Sequence, residues 1–327
     1  MKQPEKKYLL IDRKDSIYTR YEQVPGYLQP QLIPYAKCYT DIDNNGVIID
    51  QKIEMHDITI YYHLIHLTKG VKLTTVPAEQ YLLPACISGF TEKNRRLPLK
   101  ITLTKKELNT FNSLLETGPM ITKREFVINF HVNLNLYSLE NLIREYPIFD
   151  RVRYLDIQKA RTPNKRTPYP LNEVNYQIMK RIINCRHIAK PAEIFFRRSA
   201  VEFYATYLRY LQRIPPVMLM ESHREQLRQI ASYIIHHITE ITTITALCEK
   251  FNVAPAFLEI PFEQEFFIPV KELIHQERMA LAYKMITETS HTLAYIATLT
   301  HHNGWEALKD DFEEYYRCSL ADLRKAQ

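Results

Sequence analysis

The side chains best equipped for chemistry are four histidines. His56, His63 and His66 fall in one short stretch, His131 lies in a second apolar run, and Glu54 could share a strand face with His56. A barrel could gather them around a transition metal, for which neutral imidazole is a common ligand. The spacing argues against that. His63 and His66 are three residues apart, so on a strand they point to opposite faces, and the set matches no established ligand pattern. His236-His237 and His301-His302 sit in or beside helical stretches and read as solvated pairs. Cys38, Cys86, Cys185, Cys248 and Cys318 are scattered without a C-x-x-C pair. An odd, dispersed set speaks against a disulfide framework and a structural zinc, and suits reduced, mostly buried thiols. Nor does the chain contain G-x-S-x-G, a P-loop, H-E-x-x-H or a dinucleotide glycine pattern. The expectation is a protein that is not an enzyme and carries no metal or cofactor.

Charge is the next chemical signal. The net value is +6, but residues 1–220 hold 33 Lys and Arg against 21 Asp and Glu, while residues 221–327 hold 10 against 16. The first part is therefore at +12 and the last at −6. A basic chain suggests a polyanionic partner, yet the positive charge lies outside the last third of the chain. No apolar run approaches the roughly 20 residues a membrane helix needs. The opening MKQPEKKYLLIDRKD lacks a signal-peptide core, so the cytoplasm is the expected location.

These groups need elements to hold them. Residues 1–132 read as strand-rich, with loose alternation over 47–68 and a β-branched and aromatic run at 124–134. Asn44-Asn45-Gly46, Lys69-Gly70 and Gly118-Pro119 punctuate them as turns. A sandwich or barrel would fit, and Tyr61, Tyr62, Phe126, Phe130 and Tyr137 would either line an effector pocket or serve as ordinary core. From 137 the texture turns helical, with Ser138 placed as an N-cap. Three prolines and three basic residues fill the loop 160–170, and helical stretches follow at 171–188 and 191–213, the second opened by Pro191. Pro215-Pro216 makes the best boundary. The expected class is α+β multidomain: residues 1–213, strand-rich over 1–132 and mainly helical over 137–213, then an all-helical domain at 217–327.

The last domain shows two similar cycles. Leu227, Ile230, Ala231 and Ile234 form a helical stripe. Thr243 then caps a helix with Leu247, Cys248 and Phe251 inward, Asn252-Val253 turns, and Pro255 opens the next helix. A linking helix follows at roughly 269–287. The second cycle has Thr292 as cap, Ile296 and Ala297 inward, a turn at Asn303-Gly304, and Trp305, Leu308, Phe312 and Tyr315 or Tyr316 on one stripe, with Ser319 capping a last short helix. Trp305 is expected to anchor this core, and Gly304 to supply a positive φ or a close approach. Helix, short turn, helix is the geometry that places a second helix in a major groove.

Residues 227–324 resemble the AraC/XylS-type DNA-binding domain, with seven helices, two helix-turn-helix units and one linking helix. The resemblance is carried by Ile230-Ala231-x-x-Ile234, Ile244-x-x-Leu247-Cys248-x-x-Phe251, Val253-Ala254-x-x-x-Leu258 and Phe262. It continues through Arg278-Met279-x-x-Ala282-x-x-Met285-Ile286, Ile296-Ala297, Gly304-Trp305, Phe312 and Arg324. It implies a transcription regulator, activator or repressor, with double-stranded DNA as partner. It further implies a homodimer, contact with RNA polymerase, and a small-molecule effector in the N-terminal domain, where 130–213 looks like the helical connector of longer members. DNA-contacting positions would be Lys250, Lys271, Arg278, Lys309, Arg317 and Arg324. Reading positions would be Ala254, Ala256, Phe257, Glu259, Ile260, Glu306 and Asp310. The structural set is Ile230, Leu247, Leu258, Phe262, Ala282, Ile296, Gly304, Trp305 and Phe312.

The chain also departs from that pattern. Ala254 stands where a polar cap is usual, Ile260 where the family has Arg, and Phe262-Glu263 and Phe267 where it has Phe-Lys and Gly. Pro261 falls inside the first reading helix, where a proline costs about 3 kcal/mol and should kink or end it. In the second unit the step from Gly304-Trp305 to Phe312 is three residues short, and Asp310-Asp311 and Glu313-Glu314 flank Phe312 where Ser-Arg and lysines are typical. Two readings follow: a working DNA-binding regulator, or a protein that kept the fold and acts through protein contacts.

Overall fold

The computed structural model describes residues 11–13, 19–21, 24–43, 46–67, 71–75, 82–91, 120–121, 126–154, 172–211, 219–241 and 243–325. The chain divides into two compact units, Met1–Leu171 with Ile183–Cys185, and Asn172–Ile182 with Arg186–Gln327.

The first unit is built on antiparallel strands, as alternation over 47–68 and the run at 124–134 demand. Its strands are β1 (Ile11–Arg13), β2 (Thr19–Tyr21), β3 (Lys37–Asp43), β4 (Gly46–Glu54), β5 (Ile58–Leu67), β6 (Val71–Thr75), β7 (Leu82–Thr91), β8 (Met120–Ile121) and β9 (Phe126–Asn135). Six form one sheet in the order β2-β3-β4-β5-β9-β7, and three form another in the order β1-β6-β8. The register sets Asp50 opposite His63, Tyr61 opposite His131 and Tyr62 opposite Phe130. Because side chains alternate, one face of the large sheet carries Ile49, Ile53, Ile60, Tyr62, Leu64, Phe130, Val132 and Leu134, all buried. The opposite face is buried too, and beside Ile48 and Ile65 it carries a run of polar groups: Asp41, Asp50, Tyr61, His63, His131 and Asn133.

That alternation corrects the aromatic pocket. Tyr61 and Tyr62 fall on opposite faces, Tyr137 is 82% exposed, and the side chain of Phe126 lies outside the described residues. Ser138 does occupy the residue before helix α1 (Leu139–Glu145) but makes no capping bond. Its hydroxyl instead contacts the Nδ1 and backbone oxygen of His56, and Asn135 accepts from the Tyr137 N–H. The loop at 160–170 lies outside the described residues.

The second unit is helical: α2 (Glu173–Asn184), α3 (Ala189–Leu211), α4 (Glu221–His236), α5 (Ile244–Phe251), α6 (Ile260–Phe266), α7 (Val270–Glu288), α8 (Leu293–Leu299), α9 (Trp305–Tyr316) and α10 (Leu320–Lys325). The boundary expected at 213–217 falls inside this unit. The reason is electrostatic as well as apolar. Arg181 of α2 pairs with Glu277 of α7 at 2.8 Å and with Glu202 of α3 at 3.3 Å, and Arg209 of α3 pairs with Glu272 of α7 at 2.6 Å. Buried charges are tolerated only when paired. Here two carboxylates outweigh the burial of Arg181 and hold its guanidinium charged. The Tyr283 hydroxyl also donates to the Pro191 carbonyl, and Ile194 joins the core of α7, α8 and α9.

Candidate nucleic-acid interface

Two helix-turn-helix pairs stand on either side of α7. In the first, Thr243 accepts from the Ala246 N–H at 3.1 Å and so starts α5, while Asn252 ends it in the left-handed region at φ 49°. Asparagine tolerates that conformation at low cost. Pro255 then opens a single 3-10 turn, Pro255–Leu258. The backbone breaks at Glu259 (φ −89°, ψ −102°), and Pro261 falls in the first turn of α6. The helix thus ends early, as Pro261 requires, but the proline is not an interior one. In a first turn its missing N–H is one that no helix satisfies internally. Leu258, Phe262 and Phe266 are fully buried beneath this broken helix.

The second pair is continuous. Thr292 accepts from the Tyr295 N–H and starts α8, and Gly304 takes φ 95° to enter α9. The positive φ explains this glycine, since a Cβ there would meet nothing closer than 3.6 Å. Ser319 accepts from the Ala321 N–H at the start of α10. Leu308, Phe312, Tyr315 and Tyr316 fill the core. Trp305 does not: it is 44% exposed at the first residue of α9. The core needs only the stripe from Leu308 onward, and position 305, one turn earlier, projects outward. Of the structural set, Ile230, Leu247, Leu258, Phe262, Ala282, Ile296 and Phe312 are buried.

Polar contacts hold α9 in place. Arg198 of α3 lies 3.5 Å over the Tyr315 ring and donates to the Tyr315 carbonyl, while the Tyr315 hydroxyl donates to Glu202. Burial pushes that phenol well above its ordinary range, so it remains a donor. On the same helix, Asp311 is 2.9 Å from His302 Nε2 and 3.5 Å from His275 Nε2. His302 is therefore not a solvated histidine: Asp311 and the Thr300 hydroxyl hold it. Composition gave no sign of this cluster, although Arg198 and Glu202 show the i,i+4 spacing that could have flagged their pair.

The outward faces are unusual in charge. Ala254, Ala256, Glu259, Ile260 and Glu263 are exposed on the first helix-turn-helix pair, and Trp305, Glu306, Lys309, Asp310 and Glu314 on the second. Phe257 is half-buried against His223. Among the described residues, none of these carboxylates forms an ion pair. Two acids expected at the groove face are engaged elsewhere. Asp311 binds the histidines, and Glu313 accepts from the Leu320 N–H at 2.9 Å. Of the cations, Lys250 is exposed above the Tyr233 ring at 4.5 Å, and Lys271, Lys309 and Arg317 are exposed. Arg278 is half-buried and donates to the Ile241 carbonyl at 2.8 Å, which makes it a tie between α7 and the segment that joins α4 to α5. The side chain of Arg324 lies outside the described residues.

In the sheet unit, His63 meets His131, whereas His56 and His66 lie apart from them: His56 contacts Ser138, and His66 contacts Tyr27. Among the described residues no group of three His, Cys, Asp or Glu is placed to hold a metal ion, and no helix is long and apolar enough to cross a membrane.

No family model matches the chain, and no curated protein sequence matches it. Solved structures do. The C-terminal domain of AraT, a response regulator from Geobacillus stearothermophilus, is 22% identical over 31% of this chain and 85% of its own, with a TM-score of 0.29. The C-terminal domain of the two-component response regulator yesN from Fusobacterium nucleatum is 22% identical over 32% of this chain and 98% of its own, with a TM-score of 0.28. ToxT from Vibrio cholerae is 12% identical over 82% of this chain and 98% of its own, with a TM-score of 0.25.

Proposed function

We propose that the protein is a DNA-binding transcription regulator, a divergent member of the AraC/XylS type, in which the helical unit reads DNA and the strand-rich unit responds to an effector. The observation that carries this reading is the repeated unit itself. Two capped helices, each followed by a tight turn and a second helix, bury one face and leave the other exposed, the arrangement that enters a major groove. Exposed Ala256, Ile260 and Trp305 suit thymine methyl groups, and Glu259, Glu306 and Asp310 can accept from cytosine amino groups. Phosphate contacts would fall to Lys250, Lys271, Lys309 and Arg317. With so few cations and five exposed acids, one copy binds weakly, and a dimer raises affinity by making the second contact intramolecular.

A second reading rests on the same acids. Carboxylates on both outward faces repel phosphate, and the surface would then dock a protein. Selection from a random DNA pool with the full-length protein, at low and at physiological salt, separates the two. Enrichment of a motif with two half-sites is expected. Recovery of no motif by a folded protein supplied with candidate effectors would overturn the DNA reading in favour of protein contacts. Glu259→Lys with Glu263→Lys should raise nonspecific DNA affinity and steepen its salt dependence.

A further inference from the structure

Four polar side chains form a continuous hydrogen-bonded line across the buried polar face of the six-stranded sheet. Asp50 Oδ1 stands 2.5 Å from His63 Nδ1, His63 Nε2 stands 2.9 Å from His131 Nε2, and His131 Nδ1 stands 3.1 Å from Asn133 Oδ1. His131 and Asn133 are wholly buried, and His63 nearly so.

Each of the three links needs a proton. A carboxylate accepts, so His63 Nδ1 carries one. An amide oxygen accepts, so His131 Nδ1 carries another. Two facing Nε2 atoms share a third. Neutral imidazole has one N–H, so two neutral rings supply two protons where the line requires three. With only two, the line closes in one way: His63 keeps its Nδ1 proton, His131 donates from Nε2, and Asn133 turns its amide so that Nδ2 donates to His131 Nδ1. Nothing resists that turn on the donor side. In the orientation seen, Asn133 Nδ2 is buried without a hydrogen-bond partner.

We propose that Asp50, His63, His131 and Asn133 form a proton-operated switch in the strand-rich unit, in which one proton sets the Asn133 amide and changes the buried charge by one. Binding a proton gives a neutral line, with Asp50 ionised beside an imidazolium at His63. Releasing it leaves the Asp50 charge alone and reverses the amide. The groups sharing this face bear on the balance. Asp41 and Tyr39 come from β3, Lys52 and Glu54 from β4, Tyr61 from β5, and Cys86 occupies the β7 position opposite His131. Asp41, itself buried, favours the proton-bound form, while Lys52 opposes it but pairs with Glu54 at 2.7 Å. The Tyr61 ring stacks on His131 with centroids 4.7 Å apart and fixes its plane. Burial, with the neighbouring His63 charge, pushes His131 well below the ordinary histidine range. The switch is independent of whether the helical unit binds DNA.

The test is nitrogen NMR of the full-length protein labelled with 15N-histidine, followed from about pH 5 to 9, a window that brackets the ordinary histidine range. Scalar coupling between the two Nε2 nuclei across their hydrogen bond is expected. Both rings should change in one concerted step, with His131 Nδ1 protonated below the step and bare above it. Asn133→Asp places an oxygen acceptor in either orientation, so it should retain the third proton and move the step upward by about one pH unit or more. Rings that titrate separately, an unchanged His131 Nδ1, or no step in that range would overturn the proposal. The wild-type spectra decide this even if the variant does not fold.

Discussion

The two helix-turn-helix pairs share a plan and differ in how the second helix is held. In the first, the helix is broken at Glu259 into a 3-10 turn and the seven-residue α6, and its seat is apolar: Leu258, Phe262 and Phe266. Its ion pair, Arg224 with Glu265 at 3.0 Å, is part-buried. In the second, the twelve-residue α9 is unbroken and is gripped by polar groups from outside it: the buried Glu202, the part-buried Arg198 and turn residue His302, and the more exposed His275. Apolar seating is tolerant of direction, whereas buried polar contacts are geometrically exacting and costly to leave half-made. The second helix of the second pair is therefore the more precisely oriented of the two, and that of the first pair the more able to shift.

The largest effect should come from breaking that grip. Glu202 accepts from Arg181, Arg198 and Tyr315, so Glu202→Ala takes the acceptor from the buried Tyr315 hydroxyl and one carboxylate from each of the two guanidinium groups. A loss of about 3–5 kcal/mol is expected by denaturant unfolding. A loss below about 1 kcal/mol would show that the network is incidental. Phe312→Ala should cost a comparable amount, about 3–5 kcal/mol, because the ring is fully buried beside Tyr283 and Tyr316. Trp305→Ala, seven residues earlier on the same helix, should cost under about 1 kcal/mol, as exposed sites do. If the tryptophan variant lost as much as the phenylalanine one, the outward placement of Trp305 would be refuted.

Smaller effects separate the first pair. Pro261→Ala should change stability by no more than about 1 kcal/mol, because first-turn proline is tolerated. A gain near 3 kcal/mol would mean that the proline strains a helix interior after all. The smallest effect is a pH dependence at His275, where burial lowers the pKa against the pull of Asp311. A depressed histidine adds stability that is fully present above its unfolded value near ~6.5 and is lost as pH falls through the folded value. Acidification below about pH 6.5 should thus destabilise the wild type slightly more than His275→Gln. Equal slopes for the two proteins would remove the histidine from the account.

Much of the helical unit was legible because its signals are local. Thr243 and Thr292 as caps, Asn252 and Gly304 at the turns, and the stripes through Leu247, Ile296 and Phe312 depend on neighbours within one or two turns, and each stands where spacing put it. Pro261 was legible in kind but not in consequence. The residue itself announced a broken helix, while the break at Glu259 that moved it to a first turn is a backbone event. Trp305 misled because size and position on a stripe do not say where a stripe leaves the core.

The sequence by itself determined the strand-rich and helical divisions, the two repeated helix pairs, their caps and the acidic balance of residues 221–327, since all of these follow from composition and short-range periodicity. Only the tertiary structure decided that α2 and α3 belong with the last helices, that Arg278 ties a backbone carbonyl, that Asp311 and Glu313 are occupied, and that Asp50, His63, His131 and Asn133 form one line. The physical reason is common to all four. Each depends on partners brought together from distant parts of the chain or by the path of a turn, and a buried charge or hydrogen-bonding group takes whichever partner packing brings within reach.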